Sequence, residues 1–247
     1  MGYQRYRYGG GGYGGGGPLN FFGGISPTVM YLIIANFVFF LFTMFAPDLI
    51  VGALALIPRD VFPGVQLWRP VTYMFLHADF AHIFLNMLML WWFGSPLEQI
   101  WGQKKFLKYY FITGIGAGLV CVPFYPPDAV IVGASGALFG ILIAFALIYP
   151  NARVYLWFVL PIKVKYLVIA FAVIELTATM SYMGGETASR VASIAHLSGM
   201  VIGYFYLRGF MDIRAFLKRN KMKKARKAYR VLRDDDNDRD RGGPWLH

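Results

Sequence analysis

Largely apolar blocks recur along the middle of the chain, and most have the length that carries a helix across a hydrocarbon core of about 30 Å. They run from Thr28 to Phe45, Val71 to Phe93, Phe106 to Tyr125, Ser135 to Tyr149, Tyr166 to Met183 and Val191 to Phe210, which predicts six membrane spans. Polar connections separate them. The one after the first block, PDLIVGALALIPRDVFPGVQLWRP, is long and moderately apolar and carries Trp68, a ring suited to the headgroup level, so it is expected to lie in the interface. The stretch VYLWFVL is too short to span and is expected to lie there too.

The flanks differ in kind. Residues 1–26 form a Gly/Tyr-rich leader with too few aliphatic side chains to offset the entropy of ordering, so disorder is expected there. The leader holds no apolar stretch of the signal-peptide type, which predicts a mature chain starting at or near Met1. Residues 27–211 form the membrane domain. Residues 212–247 form a tail that is first basic (KRNKMKKARKAYRVLR) and then acidic (DDDNDRD). A juxtamembrane helix drawn to anionic lipid, followed by a disordered end, is the expectation.

Composition supports the membrane reading: 57% of residues are hydrophobic and 15% charged, against about 25% charged in soluble domains. The formal charge of +11 does not point to nucleic acid, because most Lys and Arg sit in the tail and in short connections. Six spans put 21 Lys and Arg on the amino-terminal side and 3, namely Arg59, Arg69 and Arg190, on the other. The positive-inside rule then makes both termini cytoplasmic and turns the connections after spans one, three and five outward. The single cysteine, Cys121, excludes an internal disulfide and reads as a packing residue.

Polar groups inside spans are costly and mark function by default. Span two carries His77, Asp79, His82 and Asn86, span four begins with Ser135, span five holds Glu175 and span six holds His196. His82 and Asn86 are one turn apart on one helix face. Ser135 opens a block too short to cross the bilayer, so the backbone before it must dip below the surface, which requires an aqueous cavity open to the outside. Gly136 with Gly140, and Gly199 with Gly203, give spans four and six a GxxxG each, a spacing that lets helices approach closely. Packing these faces together would bring the His196 imidazole toward the Ser135 hydroxyl, the minimal nucleophile and base of acyl transfer.

Donors for the developing oxyanion are available from His82, Asn86 and the Ser135 backbone N–H. No Asp or Glu is placed by spacing to orient His196, and Glu175 lies nearer the middle of span five, so a dyad is expected. Singly, a serine at a helix start reads as a cap and an intramembrane histidine as helix glue; their coincidence on three spans at similar depth is what points to a site. His77 and Asp79 read as glue, Trp68 and Arg69 as interface anchors, and Glu98, Lys104 and Lys105 as a solvated connection. No HExxH and no Cys/His cluster is present, so neither a metal nor another cofactor is expected.

WRPVTYMFLHADFAHIFLNMLMLWWFGSPLEQIWG, GASGALFG and AHLSGMVIG, in this order, resemble three elements of the rhomboid family of intramembrane serine proteases. The resemblance runs from about Trp68 to Gly203. It implies an all-α membrane protein, a six-transmembrane-helix bundle with an outward-open hydrophilic cavity, that cleaves single-span membrane proteins near the outer end of their helices. By matched position Ser135 would be nucleophile, His196 base, and His82 and Asn86 oxyanion stabilisers. Gly133, Gly136 and Phe139 would border the cavity, with Gly140, Gly199 and Gly203 packing the helices. Some members carry Tyr where this chain has Phe139, so stacking on the base is kept and the phenolic hydrogen bond is not. The resemblance also makes span five and the connection after span one substrate gates, with MSYMGGETASR as a mobile edge. The expected partners are such substrates and the lipid bilayer, with no nucleic acid, and the expected location is a bacterial inner membrane. The second reading is a catalytically silent relative that binds spanning helices and directs their trafficking or degradation.

Overall fold

A computed structural model describes residues 24–156, 159–181 and 193–209. The expectations for the leader up to residue 23, for the tail and for the edge at residues 182–192 lie outside the described residues. Helix α1 (Pro27–Phe45) starts with proline at its first position, where a backbone N–H would have no helical partner anyway. It buries Val29, Leu32 and Asn36 and exposes Tyr31, Ile34, Leu41 and Phe42, the pattern of a helix packed on one side and facing lipid on the other.

The connection that follows holds three short helices, α2 (Pro47–Leu54), α3 (Pro58–Val61) and α4 (Arg69–Thr72). Arg69 departs from the interface-anchor reading, being only 4% exposed. Its guanidinium donates to the carbonyls of Ala55 at 2.5 Å and Gly52 at 2.7 Å and to Gln66 Oε1 at 2.7 Å, and pairs with Asp60 Oδ2 at 2.9 Å. A looping backbone leaves carbonyls without ladder partners, and the planar five-donor fork of arginine satisfies several of them at once. Leu56 then exchanges two backbone hydrogen bonds, each 3.0 Å, with Ile131 far along the chain.

The second apolar block does not begin at Val71. A short turn at Tyr73–Phe75 is followed by a break, and α5 runs from Phe80 to Met89. Asp79 is the reason: extended at φ −154°, it accepts the His82 backbone N–H at 2.8 Å and so caps the helix. A π-helical turn, Leu90–Gly94, passes into α6 (Ser95–Trp101), so the continuous rod is Phe80–Trp101.

Glu98 is the second departure, since it is 3% exposed and not solvated. Its carboxylate accepts from Ser26 Oγ and from the backbone N–H groups of Thr28 and Val29, both at 3.0 Å. These are orphan donors at the start of α1, and a buried helix end needs an acceptor. Lys104 and Lys105 are exposed.

Gly102, at φ +76°, ends α6 in the left-handed region and lets α7 (Gln103–Cys121) begin three residues before the expected Phe106. Helix α8 (Ser135–Ile148) is buried along most of its length, as a helix apolar all round must be. Its 14 residues rise about 21 Å, less than the hydrocarbon core. Tyr109 of α7 donates to the Gly140 carbonyl of α8 at 2.6 Å, and Tyr73 donates to the Gly114 carbonyl of α7 at 2.7 Å.

The stretch after α8 forms a hairpin that the apolar pattern did not predict. Strands β1 (Arg153–Leu156) and β2 (Leu160–Lys163) pair antiparallel, with Arg153 opposite Lys163. Helices α9 (Val164–Ser181) and α10 (residues 193–209) complete the described chain. The fold is therefore mainly helical. Among the described residues, Pro27–Phe45, Phe80–Trp101 and Gln103–Phe124 are long and apolar enough to cross a membrane, and Ser135–Ile148 is a shorter apolar helix.

Candidate active site

Four elements converge on one cavity of about 400 Å³, lined by Ser135, Gly136 and Phe139 of α8, His82 and Asn86 of α5, His196 of α10 and the extended segment Val130, Ile131, Val132 and Gly133. Ser135 is the first residue of α8, so its backbone N–H is among those without a helical partner, and the positive end of the helix dipole lies beneath its hydroxyl.

Gly133 makes the approach to Ser135 possible. Its φ of +124° suits glycine, and its N–H donates to the Tyr73 carbonyl at 3.0 Å. A Cβ there would stand 2.9 Å from His82 Nε2 and 3.7 Å from Ser135 Oγ, so any side chain would fill the space between imidazole and hydroxyl.

The His82 ring is oriented from behind. The Ala78 backbone N–H points at Nδ1, 3.4 Å away, and the His77 ring meets it edge-on with centroids 4.9 Å apart. An Nδ1 that accepts leaves the proton on Nε2, which makes Nε2 a donor toward the Gly133 side of the cavity. Asn86 is 5% exposed, and among the described residues its Nδ2 has no hydrogen-bond partner. A buried amide donor without a partner costs about 1–3 kcal/mol, a cost met when a ligand oxygen accepts from it.

On the far side, the Phe139 ring stacks on His196, centroids 4.2 Å apart and planes 9° apart. Ser135 and His196 face the same cavity without a direct hydrogen bond between them; apo sites commonly tighten such contacts only around substrate. His196 Nδ1 is engaged elsewhere, 2.8 Å from Glu175 Oε1 on α9. Sequence spacing does not show this contact. The available signal was that a carboxylate in an apolar span needs a partner, and His196 is the nearest partner by chemistry.

The glycines of α8 and α10 meet closely. A Cβ on Gly199 would lie 1.9 Å from the Gly136 carbonyl oxygen, and one on Gly203 would lie 3.2 Å from the Gly140 Cα. Gly136 and Gly140 themselves present their free positions to α7, where a Cβ would meet Ala117 at 2.6 Å and Thr113 at 2.7 Å. Helix α8 is thus gripped from both sides through small residues. His77 packs behind His82, and Asp79 caps α5; neither lines the cavity.

A family model described as a Rhomboid domain matches residues 64–212. RHOMBOID-like protein 5 of Arabidopsis thaliana is 32% identical over 141 residues, 57% of this chain and 43% of the relative. Rhomboid protein 1, mitochondrial, of Saccharomyces cerevisiae is 33% identical over 141 residues, 53% of this chain and 38% of the relative. Rhomboid protease GluP of Bacillus subtilis is 31% identical over 141 residues, 57% of this chain and 25% of the relative. The chain covers less than half the length of each of these three.

Proposed function

The chain belongs to the rhomboid family, and from that membership we propose that it is an intramembrane serine endopeptidase that cleaves single-span membrane proteins with Ser135 as nucleophile and His196 as base. The family consists of integral membrane proteins with protease-type function at the family level. The observation that carries the reading is the convergence of Ser135, His196, His82 and Asn86 on one cavity.

The chemistry follows from these groups. Ser135 Oγ attacks the carbonyl carbon of the scissile bond, and its proton passes to His196 Nε2 as the C–O bond forms. The carbonyl oxygen becomes an oxyanion, met by the His82 Nε2–H, the Asn86 Nδ2–H and the Ser135 backbone N–H. His196 returns the proton to the leaving nitrogen as the C–N bond breaks. Water then repeats the sequence on the acyl-enzyme, with His196 again taking and returning one proton. Gly133 and Gly136 keep the approach open, Phe139 holds the imidazole plane, and Gly140, Gly199 and Gly203 set the helix spacing. The groups present suffice without a metal or other cofactor.

The membrane domain spans residues 27–211 as six helices, supported by the apolar blocks and by the 21 to 3 distribution of Lys and Arg, which puts both termini in the cytoplasm. The cavity opens outward, supported by the position of Ser135 at the start of a helix too short to cross. A bacterial inner (plasma) membrane is the proposed setting; the relatives include one from Bacillus subtilis and one whose name is mitochondrial.

The missing direct Ser135–His196 hydrogen bond favours one other reading, a catalytically silent protein that binds spanning helices. A fluorophosphonate probe and a panel of single-span substrates separate the two in detergent-purified full-length protein. Labelling and cleavage that vanish in Ser135→Ala and His196→Ala support the protease; a wild-type protein that neither labels nor cleaves overturns it.

A further inference from the structure

Glu175 faces the edge of His196 that the acyl-transfer chemistry leaves unused. Its Oε1 lies 2.8 Å from Nδ1, both side chains are largely withdrawn from the surface, and Ser193, one turn before His196 on α10, also hydrogen-bonds the carboxylate. The ring is therefore held at its Nδ1 edge by Glu175 and across one face by Phe139. Nε2 is the ring nitrogen left for the cavity that Ser135 lines.

We propose that Glu175 is a positioning residue for the base, so that the protease operates with a Glu175–His196–Ser135 chain and not with a two-residue dyad. This rests on the protease reading above. An ionised carboxylate only accepts hydrogen bonds, so the proton of neutral His196 resides on Nδ1 and the Nε2 lone pair is free to receive the Ser135 proton. When it does, the imidazolium that forms keeps Nδ1–H donating to Glu175, whose negative charge stabilises it; the carboxylate itself is not protonated. Attraction between the two charges is stronger here than in water because the surroundings are apolar. A carboxylate that served only as glue between α9 and α10 would need neither tautomer control nor a contact on the base.

The test uses full-length protein in detergent, a fluorogenic single-span substrate, and the variants Glu175→Gln, Glu175→Asp and Glu175→Ala beside Ser135→Ala. Glu175→Ala and Glu175→Gln are expected to lower kcat about 10- to 100-fold, the size of a hydrogen bond to a charged group, with KM within about twofold. Glu175→Asp is expected to recover at least part of kcat. Nitrogen-15 NMR of histidine-labelled Ser135→Ala protein is expected to show His196 protonated at Nδ1, a signal that moves in the Ser135→Ala, Glu175→Gln double variant. Ser135-dependent cleavage that Glu175→Gln leaves within about threefold, or a His196 protonated at Nε2 in the Ser135→Ala protein, overturns the proposal alone. Absence of any Ser135-dependent cleavage overturns the protease reading and this proposal with it. Should a Glu175 variant fail to fold, the NMR arm on folded Ser135→Ala protein still decides the tautomer.

Discussion

Gly199 of α10 and Gly136 of α8 touch backbone to backbone: the place of a Cβ on Gly199 is 1.9 Å from the Gly136 carbonyl oxygen. No flexible side-chain end can yield there. The contact sits one residue after Ser135 and three after His196, so the helix spacing that it sets is also the spacing of the two proposed reacting groups.

Gly199→Ala is accordingly expected to separate α8 from α10, at a cost of at least about 1–3 kcal/mol from overpacking. Thermal denaturation in detergent should show a melting temperature several degrees lower, and cleavage should be lost. Gly209, around which no atom lies within 4 Å of a placed Cβ, is the control, and Gly209→Ala should leave both unchanged. Equal behaviour of the two variants would count against the close-packing account.

The oxyanion donors can be weighed separately from the nucleophile. Asn86→Ala and His82→Ala are each expected to lower kcat about 10²- to 10³-fold while changing KM little, because their hydrogen bonds strengthen only as the oxygen becomes charged. Steady-state kinetics on one substrate checks this. A change confined to KM would mean that these residues bind the ground state instead.

How far the sequence reached is instructive at particular positions. Ser135, His82, Asn86 and His196 were legible because polar side chains stand out in apolar blocks, and all four line the same cavity. The start of span two was not, since hydropathy runs on smoothly from Val71 and only the capping geometry of Asp79 shows where helix begins. Charge next to a span suggests an interface anchor for Arg69 and a solvated place for Glu98; their burial depends on which carbonyls and N–H groups the chain folds against them. Depth along its own helix argues against Glu175 as a partner of His196. Depth cannot say that α9 and α10 are rotated to bring its carboxylate onto an imidazole twenty-one residues on.

Phe139 tests the worth of stacking on the base. Phe139→Leu should lower kcat about 3- to 10-fold, the scale of an aromatic pair, whereas Phe139→Tyr should keep at least half the wild-type rate. The ratio of the two rates, measured at saturating substrate, reads the stacking directly. Equal losses would point to volume and not to ring contact.

Glu98 predicts stability without chemistry. It lies on α6, outside the cavity lining, and Glu98→Gln is expected to destabilise the fold by about 1–3 kcal/mol as charged hydrogen bonds to the start of α1 weaken. A lower melting temperature with unchanged kcat per folded molecule is the expected result. A kcat that falls while the melting temperature holds would assign Glu98 a place nearer the reaction.

The two-rung link between Leu56 and Ile131 has a mechanical side. One partner, Leu56, belongs to the connection braced by Arg69, and the other, Ile131, to the stretch that walls the cavity. A shift of that connection would be carried by the two hydrogen bonds to the wall facing Ser135. The wall beside Ser135 is thus tied, through two hydrogen bonds, to a segment that itself carries none of the proposed reacting groups.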